Sequence, residues 1–426
     1  MTRSELNILR RLWRSTKQGL WFRPLLWILA VTLLALAAYP LGAWLLDLLP
    51  LPEVRRETAQ ALLELLASAM LTVTTVAFSM VMVVITFASG QVSPRSIPGI
   101  LRDAAIQDAL GVFLAGLVFG LLGMLSIEVI GIWHHGPLVT VLLGGVICTL
   151  TVVYLVRLIH HVSRRVQVTH ILAQQRDLGH ASIDRFFGTA PPGKPVPLDT
   201  ECAEGLGRRP DAGELRLQLD APVSGYLQVL NLQDVFHFAR AHDLFVRVRH
   251  TEGDYVGRGW PIFDVLAIRA PDDETLSALR STAQIGEERT PEGDPLFPLE
   301  VLGEIGERAL SPGVNDTGTA LAALDHVADC LLRWARHADR LPGLADDEGR
   351  LRVAVTPPRL ATALERTVAR ILRSGQGNPE VERRALWLLD QLSRSDSIDA
   401  MARTAIVGLR RRAAPRNGED GGGGNS

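Results

Sequence analysis

Four long stretches without a charged residue dominate the first 160 residues of the chain. A helix needs about 20 mostly apolar residues to cross the hydrocarbon core of a bilayer, and each stretch has about that length or more. The pattern therefore predicts an α-helical polytopic membrane protein with four transmembrane helices. The four stretches are Pro24–Leu46, Leu65–Pro94, Ala109–Ile127 and Val129–Val156.

The charged residues that flank these stretches indicate the direction in which each helix runs. Arginine and lysine are concentrated before the first stretch, between the second and the third, and after the fourth, which the positive-inside rule assigns to the cytoplasm. We therefore expect a multi-pass protein with both termini cytoplasmic and with the lipid bilayer as its first partner. The arginines expected at the membrane interface, where guanidinium groups reach lipid phosphates, are Arg95, Arg157, Arg164 and Arg165.

The periodicity changes after the fourth stretch. Alternating apolar and polar residues there predict short strands, and a longer segment of helical periodicity follows. The second half of the chain is therefore expected to form a cytoplasmic α+β domain. The predicted units are an N-terminal segment (1–23), a transmembrane domain (24–161), a juxtamembrane helix (162–188), a Pro/Gly-rich linker (189–213), a small β module (214–270), an α-helical domain (271–415) and a disordered tail (416–426).

Composition excludes several classes of protein. With 47% hydrophobic and 21% charged residues, the chain has too much apolar surface to remain disordered. A formal net charge of −2 lacks the basic footprint of nucleic-acid binding. The three cysteines are far apart, and the usual catalytic signatures are absent. We therefore expect no metal, no cofactor and no enzymatic activity, and a membrane-embedded hydrolase is kept only as a third alternative.

The second stretch is the most informative, because its polar residues share one face. At 100° per residue, seven of the eight polar side chains from Glu64 to Ser89 fall within an arc of about 100°, and only Thr74 lies outside it. Polar residues in a transmembrane helix usually face protein or water rather than lipid. We call this face, together with the one methionine on it, the polar stripe: Glu64, Ser68, Thr72, Thr75, Ser79, Met82, Thr86 and Ser89.

Three interpretations of the polar stripe remain open from the sequence. Small hydroxyl residues permit close approach of helices, so the stripe is typical of a helix–helix interface. It is also typical of the wall of a water-filled pore, with Glu64 at the outer mouth and Met82 as an apolar narrowing. A groove for a lipid or another ligand is the third interpretation.

The third stretch and two histidine pairs favour structural roles. The histidine pairs are His134-His135 and His160-His161, and adjacent side chains on a helix point about 100° apart, so they rarely chelate one ion. We expect both pairs to be solvated at the interface. Glycines at near-helical spacing predict close packing against another helix, and they are Gly111, Gly116, Gly120 and Gly123.

A turn-forming run, Ser311–Thr317, separates two helical patterns in the second half. Proline and glycine end the first helix, and Asp316 or Thr317 can cap the second. A helix start also offers free N–H groups to an anion, so both a cap and a ligand site are possible. The residues of this candidate site are Ser311, Gly313, Asn315 and Asp316.

Three segments together resemble a known family of bacterial predicted membrane proteins, the domain of unknown function 2254. They are Ala88–Gln107 with its Ser-Pro-Arg, the run Gly225–Gln228, and Arg308–Asp316 with its Ser-Pro-Gly-x-Asn-Asp signature. The resemblance extends over about residues 10–410 and implies a membrane protein of the bacterial inner membrane. Proline commonly follows the Asn-Asp pair in that family, whereas this chain has Thr317.

A looser likeness involves residues 220–268. The runs Ala221–Tyr226 and Glu252–Gly259 look like the two halves of a lipoyl-type barrel-sandwich hybrid. Carrier domains of that type attach their cofactor to a lysine. No lysine lies in this stretch, so the likeness implies a structural or docking module.

The pattern as a whole favours a homo-oligomeric, channel-like protein that passes ions or small solutes along the polar stripe and is regulated by its cytoplasmic domain. The alternative is a membrane-anchored scaffold or sensor that binds a partner or a small anion through the cytoplasmic domain.

Overall fold

The structure is a computed structural model of the chain. It describes residues 21–48, 55–91, 103–129, 137–165, 167–188, 193–196, 215–291, 293–337 and 343–414. These divide into two compact units, one within Met1–His170 and the other within Ile171–Ser426. Arg95, most of the 1–23 segment, the His134-His135 pair and the 416–426 tail lie outside the described residues.

The described part of the first unit is a bundle of four helices: α1 (Phe22–Leu48), α2 (Arg56–Gln91), α3 (Ala104–Val129) and α4 (Pro137–Arg165). Three of them contain segments long and apolar enough to cross a membrane, namely Arg56–Thr86, Ala104–Ser126 and Leu138–Val162. In α1, the part with described side chains forms a shorter apolar stretch, Phe22–Ala37.

The helix bounds differ from the predicted ones in a consistent direction. Helix α2 begins nine residues before Leu65, and α3 begins five residues before Ala109, because backbone hydrogen bonding continues beyond the uncharged segment. The predicted fourth stretch is wrong at its start, since Val129 belongs to α3 and α4 begins at Pro137. Proline is favoured at the first position of a helix, where its missing N–H costs nothing.

Helix α3 lies at the centre of the bundle and packs against the other three helices through its glycines. An added Cβ at Gly111 would lie 2.7 Å from Trp27 of α1, and one at Gly120 would lie 2.9 Å from the Cβ of Ala67 of α2. At Gly116 and Gly123 it would meet residues of both α2 and α4. The close packing predicted for this series is confirmed.

One end of the bundle is held by charged contacts. The Asp103 carboxylate lies 2.9 Å from Nε2 of His161, and Arg23 donates to Asp108 at 2.7 Å. The indole N–H of Trp27 also donates to Asp108, at 3.3 Å. Of the His160-His161 pair, His160 is exposed as predicted, whereas His161 is half-buried and has Asp103 as a partner that the sequence pattern does not connect to α4.

The second unit contains two sheets. Six strands follow the order β1-β8-β9-β4-β6-β2, in which β4 and β9 are parallel and the other neighbours antiparallel. A smaller antiparallel sheet has the order β5-β3-β7. The strands are β1 (Lys194–Val196), β2 (Leu215–Asp220), β3 (Gly225–Leu230), β4 (Leu244–Val248), β5 (Tyr255–Val256), β6 (Pro261–Ala267), β7 (Ala283–Gly286), β8 (Gly343–Ala345) and β9 (Leu351–Val355).

The helix Leu232–Ala241 covers one face of the larger sheet, and the helices between Leu296 and Ala413 pack on one another as a separate layer. The buried side chains Val235 and Phe236 pack into the core formed by Val246, Phe263 and Val353. The helices of this unit are α5 (Val168–Gly188), α6 (Leu232–Ala241), α7 (Asp273–Ser281), α8 (Leu296–Ala309), α9 (Thr317–Ala335), α10 (Leu360–Arg366), α11 (Val368–Ser374), α12 (Pro379–Ser393) and α13 (Ala400–Ala413).

The predicted subdivision of this half differs from the structure in three places. The 214–270 segment contains a helix, α6, whose N-cap Asn231 accepts a hydrogen bond from the backbone N–H of Asp234. The larger sheet takes β1 from the predicted linker and β8 and β9 from the predicted helical domain. The juxtamembrane helix α5 begins at Val168 rather than at 162. Long-range strand pairing is not visible in local periodicity, so these strands are assigned only by the fold.

The glycine packing of α3 gives a first prediction. Gly120→Val should lower the free energy of unfolding by about 1–3 kcal/mol, because the new side chain meets the backbone of Ala67. Gly145→Val on α4 is the matched control, since nothing lies within 4 Å of a Cβ added there. Thermal unfolding of both variants in detergent, followed by size-exclusion chromatography, measures the difference. Equal loss in the two variants would contradict the packing assigned to α3.

Candidate functional site

The polar stripe lies on the outward side of α2. Its seven members with described side chains, from Glu64 to Thr86, are all exposed in the protomer, whereas Thr74 is buried. Helix α2 packs on α3 and α4 through a different set of side chains, which includes Leu63, Ala67 and Met70. Ser89 lies in α2, and its side chain is outside the described residues.

Helical geometry separates the two faces almost completely. At 100° per residue, the centre of the polar stripe lies about 150° from the centre of the buried face. Exposed apolar residues flank the stripe on one side: Leu62, Leu65, Val76 and Val83. Packing among the described residues of the chain therefore leaves the stripe exposed, so these residues do not form the helix–helix interface that the sequence allows.

Hydrogen bonds within α2 satisfy part of the stripe. Thr72, Thr75 and Thr86 each donate their hydroxyl to the carbonyl oxygen four residues earlier, at 2.9–3.0 Å. Such bonds leave the hydroxyl oxygen available as an acceptor on the helix surface. For Ser68, Ser79 and the carboxylate of Glu64, no hydrogen-bond partner is found among the described residues. The exposed side of the stripe therefore carries hydrogen-bond acceptors and a carboxylate for which no described residue is a partner.

The other helices of the first unit expose a different chemistry. Large exposed side chains are leucines on α1 and leucine, valine and isoleucine on α4, as lipid contact requires. At the end of α4, the exposed Arg157 lies with its guanidinium carbon 5.7 Å from the centroid of the Tyr154 ring. Arg164 and Arg165 belong to the last turn of α4, and their side chains are outside the described residues.

The signature run connects α8 to α9, and Asp316 is the N-cap of α9. Its Oδ1 accepts from the backbone N–H of Thr319 at 3.0 Å, and its Oδ2 accepts from the Thr319 hydroxyl at 2.6 Å. These hydrogen bonds lower the pKa of Asp316 below its usual range. The carboxylate is thereby bonded to the first turn of the helix.

The rest of the run forms a tight turn around Ser311. The Ser311 hydroxyl donates to Arg308 O at 2.7 Å, and Ser311 O accepts from the backbone N–H groups of Val314 and Asn315. Asn315 has φ +47°, in the left-handed region that asparagine tolerates better than most residues. Gly313 has open space around a Cβ built on it, so packing does not explain the glycine.

A second turn that the sequence analysis did not single out faces the signature run. Asn378 caps α12 through the backbone N–H groups of Glu380 and Val381, and its amide donates to Thr317 Oγ1 at 3.0 Å. The Asn-Pro pair at 378–379 is a helix-start signal that could have identified it. Thr317, which stands where the family commonly has proline, supplies the acceptor for this bond between the two helix starts.

A cavity of about 530 Å³ lies between these two turns. Asn315 and Thr317 line it from one side, and the Gly375–Glu380 turn lines it from the other. No basic side chain is among the lining residues. The cavity offers the side-chain amides of Asn315, Gln376 and Asn378 to a small polar ligand, and occupation by such a ligand stays a prediction.

A buried ionic network, also missed by the sequence analysis, holds the loop before α8. Arg289 donates to Asp294 at 2.5 Å and to Glu300 at 2.7 Å, and Arg366 donates to the other oxygen of Glu300 at 2.5 Å. Burial acts to raise the pKa of Glu300, but Arg289 and Arg366 outweigh it and lower that pKa. Burial raises the pKa of Asp294 despite its contact with Arg289. This network fixes α8, at whose end the signature run begins.

Helix α9 also packs on the juxtamembrane helix α5. Asp184 accepts two hydrogen bonds from Arg333 at 2.8 and 2.6 Å. An added Cβ at Gly179 would lie 2.9 Å from Sγ of Cys330, so the two helices touch closely there. Burial raises the pKa of the Cys330 thiol to about 12. The helix that begins at the signature run therefore contacts the segment that follows the last transmembrane helix.

Three helices are long and apolar enough to cross a membrane, and a domain with two sheets follows them in the chain. The long apolar helices are the feature that defines a membrane protein. The chain matches the family described as "Predicted membrane protein (DUF2254)" over residues 17–391, and it belongs to that family. It is 26% identical over 373 residues to the uncharacterized proteins MT1328 and Rv1290c of two Mycobacterium tuberculosis strains, over 85% of this chain and 69% of each relative. No solved structure matches the chain.

Capping by Asp316 gives a second prediction. Asp316→Ala should lower the free energy of unfolding by about 0.5–2 kcal/mol at pH 7, the usual loss for a helix N-cap. A carboxylate with a lowered pKa stabilises the fold above its unfolded pKa and loses that effect as pH falls. The difference from wild type should therefore shrink below about pH 4, as measured by urea unfolding at several pH values.

Asp272→Ala removes the equivalent cap of α7, where Asp272 accepts from the backbone N–H of Thr275 at 2.8 Å. It is the matched control for any functional assay. A loss of activity in Asp316→Ala that Asp272→Ala does not share would assign the signature run a role beyond capping. An unchanged free energy of unfolding for Asp316→Ala would contradict the capping account.

Proposed function

We propose that this protein is an oligomeric, channel-like protein of the bacterial inner membrane, whose water-containing path is lined by the polar stripe of α2. In this proposal all four helices of the first unit cross the membrane and both termini are cytoplasmic. Ions or small solutes move along the path, and the cytoplasmic domain regulates the flow.

The observation that carries the proposal is the exposure of the polar stripe on the side of α2 that faces away from α3. Residues from Glu64 to Thr86 extend over about six helical turns at 3.6 residues per turn. The face is therefore long enough to follow most of the hydrocarbon thickness of a bilayer. A polar face of this length in contact with lipid would place acceptors and a carboxylate in hydrocarbon, which costs free energy.

When several copies associate around the stripe, its polar groups no longer contact lipid, and this free-energy cost disappears. The apolar flank of α2, which includes Val76 and Val83, is exposed beside the stripe and can face lipid or a neighbouring copy. Helices arranged around a common axis would then enclose the hydroxyl groups and exclude lipid from them. Glu64 would form a ring of negative charge at the outer mouth, and Met82 would narrow the path nearer its cytoplasmic end.

Regulation by the cytoplasmic domain is supported by the contact between α9 and α5. Helix α5 follows α4 in the chain after a short break, and its Asp184 is bonded to Arg333 of α9. The signature run lies at the start of α9. A ligand that altered the conformation of this run would therefore act on a helix that is packed against the segment following α4.

A second candidate is a membrane-anchored scaffold or sensor that binds its partner through the cytoplasmic domain. The cavity between Asn315 and Asn378 favours it, because the family signature lines that cavity. In this case the polar stripe would be an interface between copies without water. The two candidates differ in whether water reaches the stripe.

Cysteine accessibility gives the third prediction and tests this difference. Single cysteines at Ser68, Thr75 and Ser79 should react with a membrane-impermeant thiol reagent, because the proposed path contains water. The background should carry Cys148→Ala and Cys202→Ala and retain Cys330, whose buried thiol does not ionise at neutral pH. Modification at Ser79→Cys should also reduce ion flux through proteoliposomes, because the bulky adduct narrows the path.

Two controls make the result specific to the stripe. A cysteine at Val83 is exposed in the protomer but lies on the apolar flank, and one at Thr74 lies on the buried face, so both should stay unmodified. Stripe cysteines as unreactive as these two in a correctly assembled protein would contradict the channel and leave the scaffold. Reaction at the stripe without any flux would restrict the proposal to a hydrated groove.

A further inference from the structure

The face of the larger sheet opposite its hydrophobic core carries charged side chains. Successive residues of a strand point to opposite faces, so Val246 and Val248 point into the core while Arg247 points away from it. Arg247 and Gln218 are both paired in register with Asp264 of β6. The three side chains therefore lie side by side across β4, β6 and β2.

Asp264 is buried, and neighbouring side chains already donate hydrogen bonds to both of its carboxylate oxygens. Arg249 donates to both carboxylate oxygens at 2.8 and 2.9 Å, and Gln218 donates to one of them at 3.2 Å. Burial acts to raise the pKa of Asp264, but these bonds outweigh it and hold that pKa below its usual range, so the carboxylate is ionised at neutral pH. Its charge balances that of Arg249.

Arg247 is left without such a partner. It is half-buried, and neither a hydrogen bond nor an ion pair is found for it among the described residues. A guanidinium group cannot lose its proton in a protein, so its charge persists. Arg216 also lies 3.9 Å from Asp264, and Arg247 is paired with Asp264 in the strand register, so three arginines and one aspartate share this part of the face. This part of the face therefore carries a net charge of about +2, and like charges side by side on a sheet are unfavourable.

Of these arginines, Arg247 and Arg249 line a cavity of about 460 Å³, which is within the range of small-molecule sites. An exposed tryptophan, Trp260, forms an apolar wall and is held edge-on against Tyr255, with ring centroids 6.5 Å apart. The lining residues are Arg247, Arg249, His250, Trp260, Pro261 and Thr356. The cavity therefore combines guanidinium and imidazole groups with one apolar surface.

We propose that this cavity binds a phosphate-bearing anion, with Arg247 as its principal ligand. The planar N–H fork of arginine matches the geometry of phosphate oxygens, and charge-assisted bonds of this kind are strong. A doubly charged phosphate also balances the excess charge of the face. The phosphate can belong to a soluble compound or to a lipid headgroup. This binding is independent of conduction along α2.

Calorimetric titration of the full-length protein in detergent tests the proposal with two probes, inorganic phosphate and dihexanoyl phosphatidic acid. Arg247→Gln should weaken binding at least about tenfold, the expected loss for one hydrogen bond between charged groups. Arg373→Gln removes an equal charge from an exposed position on α11 and should leave the affinity unchanged. Asp264→Asn, which frees Arg249, should strengthen binding.

The outcomes separate the two sources of phosphate. If both probes bind and Arg247→Gln weakens both, the natural ligand is a soluble phosphate compound. If only phosphatidic acid binds, the ligand is a lipid headgroup. Binding of neither probe, or an equal loss of affinity in Arg247→Gln and Arg373→Gln, overturns the proposal. Because no described residue is bonded to Arg247, its variant should fold, and an unchanged unfolding temperature verifies this.

Discussion

The close packing of α3 against its neighbours determines which face of α2 the protein presents to its surroundings. Gly116 and Gly120 bring α2 so near that an added methyl group would meet Met70 or Ala67. A helix is rigid about its own axis, so fixing Leu63, Ala67 and Met70 against α3 also fixes the opposite side. The polar stripe is therefore held outward by glycines that lie on a different helix.

The second unit shows the same principle in a sheet. Core packing of Val246 and Val248 fixes β4, and the two-residue alternation of the strand then places Arg247 on the other face. Burial of Asp264 requires the guanidinium of Arg249, which leaves Arg247 available to an external anion. In both units, apolar packing on one side positions the polar groups on which the proposed functions depend.

Local sequence patterns were sufficient for some features and insufficient for others. The 3.6-residue period separated Thr74 from the rest of the stripe, and the structure does bury Thr74. Turn residues located the signature run because capping depends on neighbours in the chain. In contrast, the Asp103–His161 contact joins residues 58 positions apart, and β4 pairs with β9 across about 100 residues. Such pairs are selected by the folded chain as a whole, and one sequence carries no local sign of them.

In the proposed oligomer, the polar stripe faces the central axis. Pulsed electron paramagnetic resonance on reconstituted protein measures this directly, with a single spin label at Ser79 compared with one at Val153 on the exposed face of α4. We expect the distance between labels on different copies to be shorter at position 79 than at position 153. The coupling between labels should disappear when labelled protein is diluted with unlabelled protein. Absence of any coupling between copies, or shorter distances at position 153, would contradict the proposed arrangement.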